Sequence, residues 1–348
     1  MNFRLSSVLA TLLLCLFGVN SAHAGSGITV FDVPGSKGTN PSSINDSGLI
    51  VGSYFDANFV SHGFLRHIGG AIETLDGPGT GNLIVGADAI NNSGVVAGNY
   101  QDSAHENHGY VRDAAVHYTQ FDITGACTLR PGGINSIGQI SGYWGDCGVG
   151  GGGYHGFLRD VDGTITTFDF GTLNDTFGCA INDSGQIVGL FAQAGSALTA
   201  TFIRNLDGSV VFYSAPNAIS PGGTSGCSIN NSGTVAGTIT QTGDPYGIGF
   251  IRDAGGNVTD INFGSLNEVR YQVAINNAGV VTGTHQTATD NVYHGFVRDT
   301  AGVITSFDVA QAGTTGGQGT LPIAINSKGR ITGSYIGSKN ISHGFVRQ

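Results

Sequence analysis

Ile44-Asn45-Asp46-Ser47-Gly48-Leu49-Ile50-Val51-Gly52 is the first copy of a nine-residue pattern, Ile-Asn-x-x-Gly-x-(Ile/Val)-x-Gly, that recurs along the whole chain. The asparagines of the seven copies are Asn45, Asn91, Asn135, Asn182, Asn230, Asn276 and Asn326. The steps between them are 46, 44, 47, 48, 46 and 50 residues, and no apolar period of 3.6 accompanies them. A period of this size without helical patterning predicts an all-β, seven-bladed β-propeller.

Each repeat divides into four predicted strands, a to d. Strand a ends at Ile-Asn, the Asn-x-x-Gly unit forms a turn, and strand b follows. Strand c is His62–Arg66 in the first repeat, and strand d ends in an aromatic-Asp pair such as Phe121-Asp122. The strand-c histidine recurs in five repeats, as His62, His108, His155, His294 and His343. We expect this His to form hydrogen bonds inside its own blade, and the strand-c Arg to pair with the strand-d Asp.

The two ends of the chain complement each other. Arg347 closes strand c of the seventh repeat and only Gln348 follows it, so this repeat has no strand d of its own. Residues 28–34 read as a strand d with no strand c before it. We therefore expect residues at about 28–34 to pair with the C-terminal strands at about 343–347, which closes the ring and leaves no open sheet edge.

The repeats resemble those of the HAF-type extracellular repeat family, which is named after a His-Ala-Phe signature. The chain has His-Gly-Phe or His-Gly-Tyr at the corresponding place in five of its seven repeats. The resemblance covers nearly all of residues 25–348 and implies an exported protein with a repeated β fold. It implies no activity, and no catalytic residue is carried over from it.

Composition supports the fold class and limits the partners. Charged residues make up 11% of the chain, hydrophobic residues 40%, and Gly numbers 59. Gly with Asn and Asp between short apolar runs is typical of β-strands joined by tight turns. The formal net charge is −10 and no basic stripe is present, which argues against nucleic acid and anionic lipid as partners.

Residues 1–24 have the pattern of a secretory signal peptide. Arg4 is followed by an apolar run over residues 8–17 and by the cleavage pattern Ala22-His23-Ala24. The apolar run is too short to span a bilayer. We therefore expect residues 25–348 to form a single propeller domain, monomeric, without a membrane span, and secreted or periplasmic.

Export bears on the cysteines, because an oxidising compartment favours disulfides over metal ligands. Cys127 and Cys147 both fall on the variable loops of the third repeat, and we expect them to be bonded. Cys179 and Cys227 each lie three residues before the repeat Asn, at equivalent positions of adjacent inner strands. A second bond between these two is therefore expected, provided that their Cα atoms come within about 7 Å.

Binding is expected where the repeats differ, on the side of the b–c and d–a loops. Aromatic rings beside carboxylates are suited to carbohydrates, and these loops carry Asp56, Asp102, Trp144, Asp146, Tyr154, Asp244, Tyr246, Asp290 and Tyr293. The sequence therefore predicts a binding or interaction module for an extracellular glycan or protein.

Other interpretations of the same loops remain open. The carboxylates could form an acidic, solvated rim, and the chain could be a structural repeat protein with no small ligand. A secreted hydrolase or lyase with its site at the channel mouth is the enzymatic alternative, but no pair of catalytic carboxylates is identifiable. No cofactor is expected, nor a metal site, because histidines on different blades cannot converge on one ion.

Overall fold

The structure is a computed structural model that describes residues 27–79, 81–147, 153–170, 175–192, 198–214, 222–241, 244–263, 267–287 and 289–348. The side chains of residues 198, 222, 241, 244–246 and 267–272 are not described. The signal peptide predicted for residues 1–24 lies outside these ranges. Within them, no helix is long and apolar enough to cross a membrane.

The described residues form β-strands joined by turns and loops, as the turn-rich composition predicts. In chain order the strands are β1 (Ile28–Phe31), β2 (Gly38–Ile44), β3 (Ile50–Phe55), β4 (Ser61–Arg66), β5 (Ile72–Leu75), β6 (Ile84–Ile90), β7 (Val96–Gln101), β8 (Asn107–Arg112), β9 (Tyr118–Phe121), β10 (Ala126–Ile134), β11 (Ile140–Asp146), β12 (Tyr154–Arg159), β13 (Ile165–Phe168), β14 (Thr176–Ile181), β15 (Ile187–Ala192), β16 (Leu198–Arg204), β17 (Val210–Tyr213), β18 (Gly222–Ile229), β19 (Val235–Gln241), β20 (Asp244–Arg252), β21 (Val258–Ile261), β22 (Asn267–Ile275), β23 (Val281–Thr287), β24 (Tyr293–Arg298), β25 (Ile304–Phe307), β26 (Gly319–Ile325), β27 (Ile331–Ile336) and β28 (Ser342–Arg347).

Strand pairing follows the sequence repeat. The strands form four sheets, three with eight strands and one with four. In each eight-stranded sheet, two antiparallel groups meet through a short parallel pairing, β4 with β6, β16 with β18 or β24 with β26. The antiparallel groups are β2–β5, β6–β9, β10–β13, β14–β17, β18–β21, β22–β25, and β26–β28 with β1. Each group is therefore one sequence repeat, except that the last takes its fourth strand from the N-terminus.

The two chain ends pair with each other, as the sequence predicts. β1 lies antiparallel to β28, with Ile28 opposite Arg347 and Phe31 opposite Gly344. His343 Nδ1 donates a hydrogen bond to Asp32, which lies just after β1. The N-terminal strand thus supplies the same Asp to the last repeat that strand d supplies elsewhere.

The core lies between neighbouring groups and is built from the strand-c aromatics. These rings have no solvent contact, and they are Phe64, Tyr110, Phe157, Phe202, Phe250, Phe296 and Phe345. Burying one such ring contributes about 1.5–3 kcal/mol. The second Gly of the repeat pattern makes room for them, because a Cβ at Gly52 would overlap the Asn40 carbonyl and lie 2.8 Å from the Phe64 ring.

The repeat asparagine closes a turn and also joins neighbouring repeats. In the sixth repeat, Asn276 Oδ1 accepts hydrogen bonds from the backbone N–H groups of Ala278 and Val280. Its Nδ2 donates to the carbonyl of Asn326 in the next repeat, at 3.0 Å. The turn function confirms the prediction from Asn-x-x-Gly, whereas the bond between repeats was not predicted.

All seven asparagines form this bond with the next repeat. Each Nδ2 lies 2.9–3.3 Å from the carbonyl oxygen of the following repeat Asn. The seventh bond runs from Asn326 back to Asn45, so the hydrogen bonds form a closed circuit. The asparagines are buried, where an unpaired carbonyl would carry a desolvation penalty.

The Asn276 amide offers a test of the circuit. Asn276→Asp keeps the oxygen that accepts the two turn N–H groups but loses the donor to Asn326, so unfolding free energy should fall by about 1–3 kcal/mol. Asn276→Ala should cost more, because the turn bonds are lost as well. Chemical denaturation with far-UV circular dichroism measures both changes.

The adjacent residue provides the matched control for this prediction. Asn277 is exposed, its Nδ2 lies 3.5 Å from Ser327 Oγ, and Asn277→Asp should cost less than about 0.5 kcal/mol. Equal losses for the two Asn→Asp variants would contradict a special contribution from the buried amide.

Candidate functional site

The strand-c histidines bond inside their own repeat, as predicted. In each of the five, Nδ1 donates to the Asp at the end of strand d at 2.6–2.9 Å, in the pairs His62–Asp76, His108–Asp122, His155–Asp169, His294–Asp308 and His343–Asp32. The imidazole also lies against a ring from strand b, with centroids 4.3–5.3 Å apart, in the pairs Tyr54–His62, Tyr100–His108, Trp144–His155, His285–His294 and Tyr335–His343. These contacts form a structural polar cluster in each of these five repeats.

The predicted loop carboxylates belong to the same clusters. The second imidazole nitrogen lies 3.5–3.8 Å from a b–c loop Asp in four repeats, namely Asp56, Asp102, Asp146 and Asp290. Asp56 also accepts the backbone N–H groups of Val60 and Asn58, and these bonds hold the pKa of its carboxyl below the usual value. Asp102 accepts two backbone N–H groups in the same way. The loop carboxylates therefore have partners within their own repeats.

The predicted aromatic residues take different places. Trp144 stacks on His155 and is half-buried, and Tyr154 is exposed and packs edge-on against Tyr143. The backbone N–H of Tyr293 donates to the Gln318 carbonyl. The side chains of Asp244 and Tyr246 lie outside the described residues.

The structure thus distributes the predicted binding residues over separate repeats. Within the described part of the chain, no group of three or more His, Cys, Asp or Glu side chains could hold a metal ion.

The predicted pairing of the strand-c Arg with the strand-d Asp is wrong. That Asp bonds to His. In five repeats the guanidinium instead lies over an aromatic ring from the preceding repeat, 4.7–5.9 Å from its centroid, in the pairs Arg66–Phe31, Arg159–Phe121, Arg204–Phe168, Arg252–Tyr213 and Arg347–Phe307. Arg112 forms an ion pair with Glu73 of the preceding repeat at 2.6 Å. A half-buried guanidinium can be stabilised by the π face of a ring as well as by a carboxylate. The Arg therefore joins neighbouring repeats.

Both predicted disulfides are present. Cys127 is bonded to Cys147, with Cα atoms 5.2 Å apart, and this bond links the start of β10 to the loop after β11. Cys179 is bonded to Cys227, with Cα atoms 5.1 Å apart, and it joins the inner strands of the fourth and fifth repeats. Two disulfides are consistent with an oxidising, exported environment.

A groove of about 330 Å³ lies between the first two repeats, on the side of the b–c and d–a loops. Its apolar lip consists of Phe55, Phe59, Leu83 and Ile84, which are all exposed. Its walls carry the hydroxyl groups of Ser42, Ser53 and Ser61, and Asp88 and Arg130 also line it. Below, "the groove" means these residues together with Val85, Gly86 and Ala87.

Asp88 is the unusual group in the groove. Its Oδ2 is shielded from solvent and accepts no hydrogen bond from the described residues. Burial raises the pKa of this carboxyl to about 7, and the positive charge of Arg130 opposes the rise. An acceptor oxygen without a partner is therefore present beside a groove that opens to solvent.

A β-bulge explains how Asp88 comes to lie there. The pairing of β6 with β7 shifts between Ala87 and Ala89, so Asp88 has no partner residue across the ladder. The residue three before the repeat Asn occupies this bulge in six repeats, as Ser42, Asp88, Gly132, Cys179, Cys227 and Ile323. Sequence reasoning missed Asp88, although its equivalence to the two bonded cysteines was a usable signal.

Phe59 adds backbone strain to the lip of the groove. It occupies the left-handed region at φ 64° in the b–c turn of the first repeat, with 72% of its surface exposed. Glycine or asparagine is favoured in this conformation, and Asn340 holds the position in the seventh repeat. Phe59 therefore stabilises the fold neither by burying its ring nor by a favourable backbone conformation. We interpret it as a residue that contacts a ligand.

A second cavity, of about 180 Å³, opens where the repeat asparagines meet. Its carboxylates are Asp46 and Asp183, and the two oxygens of each accept hydrogen bonds from neighbouring repeats. These carboxylates already have hydrogen-bond partners within the protein. The groove is therefore the better candidate for a ligand site.

Comparison with known proteins identifies the fold. No family model matches the chain, and no curated protein matches it. The β-propeller domain of the Trilobed protease from Pyrococcus furiosus has a TM-score of 0.64 at 11% identity and covers 90% of this chain and 96% of that one. Virginiamycin B lyase from Staphylococcus aureus has a TM-score of 0.59 at 10% identity, with coverage of 92% and 99%. An oligogalacturonate lyase in complex with manganese has a TM-score of 0.60 at 11% identity, with coverage of 92% and 96%. The fold of this chain is a β-propeller.

The sixth repeat carries a histidine that should make stability depend on pH. Burial lowers the pKa of His285 to about 4, and the neighbouring His294 adds to this effect. In the unfolded chain His has a pKa of about 6.5, so the unfolded state binds the extra proton more readily between these values. Stability is therefore lost as the pH falls from about 6.5 towards 4.

Three repeats hold Tyr at this position, so His285→Tyr is a conservative test. At pH 5 the unfolding free energy of the variant should exceed that of the parent by on the order of 1–2 kcal/mol, and this difference should vanish above about pH 7.5. Thermal denaturation from pH 4.5 to 8 measures it. His117→Tyr, at an exposed turn residue, should show no gain in acid, and equal behaviour of the two variants would contradict this explanation.

Proposed function

We propose that the protein is an exported, monomeric β-propeller of seven blades that acts as a carbohydrate-binding module, with the groove as its binding site. The seven antiparallel groups would be the blades, and the β1–β28 pair would close the ring. The closed circuit of asparagine hydrogen bonds supports this architecture. The HAF-type repeat resemblance and the predicted signal peptide support export.

The observation that carries the binding proposal is the amphiphilic lining of the groove. Exposed rings stand at its lip, and its lining also includes Asp88, with an unpartnered carboxylate oxygen, and the exposed guanidinium of Arg130. A sugar ring presents C–H groups on its faces and hydroxyl groups around its edge, so it can contact both kinds of surface at once. The volume lies near the lower end of about 300–1,000 Å³ for ligand pockets, which suits a small saccharide.

The b–c loop carboxylates of the two repeats that form the groove already have partners. Asp56 and Asp102 are engaged with backbone N–H groups and with histidines, as the distances above establish. We therefore place the first contacts of a saccharide at Phe55 and Phe59, and treat the predicted aromatic-carboxylate pairs of the other loops as secondary surfaces.

A proton-transfer enzyme is the second candidate, and Asp88 is the observation that favours it. A carboxyl with a pKa of about 7 could act as a general acid or base near neutral pH. Glycoside hydrolysis ordinarily uses two carboxyl groups. Asp88 is the one carboxylate among the described residues that line the groove, so a lyase-type proton abstraction fits better than hydrolysis.

Replacing Phe59 tests the binding site directly. Phe59→Gly removes the exposed ring and relieves the left-handed strain, so stability should be unchanged or rise by up to about 1 kcal/mol. Glycan binding by residues 25–348, measured on a glycan array and then by calorimetry, should fall at least about tenfold. Product analysis with the same glycans checks for turnover. If product forms, the proton-transfer enzyme becomes the better assignment.

Val116→Gly is the matched control for this experiment. Val116 occupies the same left-handed conformation at φ 73°, in a c–d turn where other repeats have Gly. This variant should also keep or gain stability, but it should bind glycans like the parent. Unchanged glycan binding by Phe59→Gly, or no binding of any glycan by the parent protein, would refute the proposed site.

A further inference from the structure

We propose that the groove selects a neutral sugar with two adjacent hydroxyl groups, one donating to Asp88 and the next accepting from Arg130. This inference rests on the proposed carbohydrate-binding function and names the ligand class for the same groove. Each hydroxyl can both donate and accept, so a pair of neighbouring hydroxyls matches a carboxylate beside a guanidinium.

The need for a donor comes from Asp88. Its Oδ2 has lost contact with water and has gained no hydrogen bond within the described protein. The side chain as a whole is only partly buried and lines the groove. A rotation of the carboxylate would therefore bring this oxygen to the groove, where a ligand hydroxyl would relieve the desolvation penalty of an unpaired acceptor. Because the bond would be to a charged carboxylate, it would be stronger than one between neutral groups.

The need for an acceptor comes from Arg130. Its Nη1 donates to Asn99 Oδ1 at 3.2 Å, which holds the guanidinium beside the groove. The remaining N–H groups belong to an exposed side chain. A guanidinium has five N–H donors in a planar fork, so one bond to Asn99 leaves donors available for a ligand oxygen.

Charge explains why the sugar should be neutral. Above about pH 7, where Asp88 is ionised, Asp88 and Arg130 contribute one negative and one positive charge to the same groove, and the whole chain carries a formal net charge of −10. A sugar carboxylate would attract Arg130 but repel Asp88 and the rest of the protein. The ammonium group of an amino sugar would attract Asp88 but would be repelled by Arg130. Hydroxyl groups satisfy both side chains without adding a charge.

The surroundings of Asp88 set the expected pH dependence. The charged or titratable groups that face it from packed strands are Arg130 on β10, Tyr110 on β8 and Tyr143 on β11. Burial raises the pKa of both tyrosines, so Arg130 supplies the charge that acts on Asp88 at neutral pH. A hydroxyl that donates to the ionised carboxylate favours deprotonation. Affinity for a neutral sugar should therefore rise as the pH increases through about 7.

Calorimetry with three monosaccharide probes tests the inference. The probes are methyl glycosides of a neutral hexose, of the corresponding hexuronic acid and of the corresponding 2-amino sugar, measured from pH 5.5 to 8.5. The parent protein should bind the neutral hexose at least about tenfold more tightly than either charged probe, with affinity increasing with pH.

Two conservative variants separate the contributions of the two side chains. Asp88→Asn should weaken neutral hexose binding about 10- to 100-fold and abolish its pH dependence, because a charged hydrogen bond is replaced by a neutral one. Arg130→Gln should weaken binding about tenfold and keep the rise of affinity with pH, but the rise should move to higher pH because the charge that lowers the pKa of Asp88 is lost. Circular dichroism and thermal denaturation of both variants check that the fold is retained.

The outcomes distinguish this inference from the function on which it rests. Tighter binding of the hexuronic acid with affinity falling as the pH rises, or tighter binding of the amino sugar, would overturn the choice of a neutral ligand. If Phe59→Gly abolishes glycan binding while Asp88→Asn and Arg130→Gln behave like the parent, the groove remains the site and the inference is wrong. If no probe and no glycan binds, both proposals fail.

Discussion

The hydrogen bond from each repeat asparagine to the next repeat is the interaction on which the rest of the structure depends. One amide performs two tasks, because its oxygen closes the turn and its nitrogen reaches the neighbouring carbonyl, as Asn276 does towards Asn326. Aspartate would lack the donor, and serine is too short to serve both. Since the inner turns hold one another in place, the loops at the other end of the strands can vary without loss of the fold.

Farther from these turns, the repeats are joined by aromatic contacts more than by ion pairs. In five repeats the strand-c Arg lies over a ring of the preceding repeat, and in the second repeat Arg112 pairs with Glu73 instead. The His bonds to the strand-d Asp within its own repeat. Repeats four and five have Ala200 and Ile248 in place of the His, yet they keep Phe202 and Phe250 fully buried. The aromatic core is therefore common to every repeat, and the His–Asp bond is an addition that two repeats lack.

Much of this arrangement could be predicted from the sequence because it repeats. The period of the repeat predicted the strand groups. The extra strand at the N-terminus and the missing strand of the last repeat predicted the β1–β28 pair. The Cys179–Cys227 bond followed from equal positions in adjacent repeats. The Arg–Asp pairing failed because alternation along a strand cannot tell which neighbour a long side chain meets. The groove escaped prediction because it depends on how two particular repeats differ and pack.

The bulge before each repeat Asn shows where such differences accumulate. A residue in the bulge has no partner across the ladder, so its side chain is less constrained by the repeat than its neighbours are. Two repeats use the position for a disulfide, another holds Ser42, and the second repeat holds Asp88. A carboxylate there faces Arg130 of the next repeat. Chemistry can thus be placed at one point of a symmetric scaffold by changing a residue that the scaffold does not need.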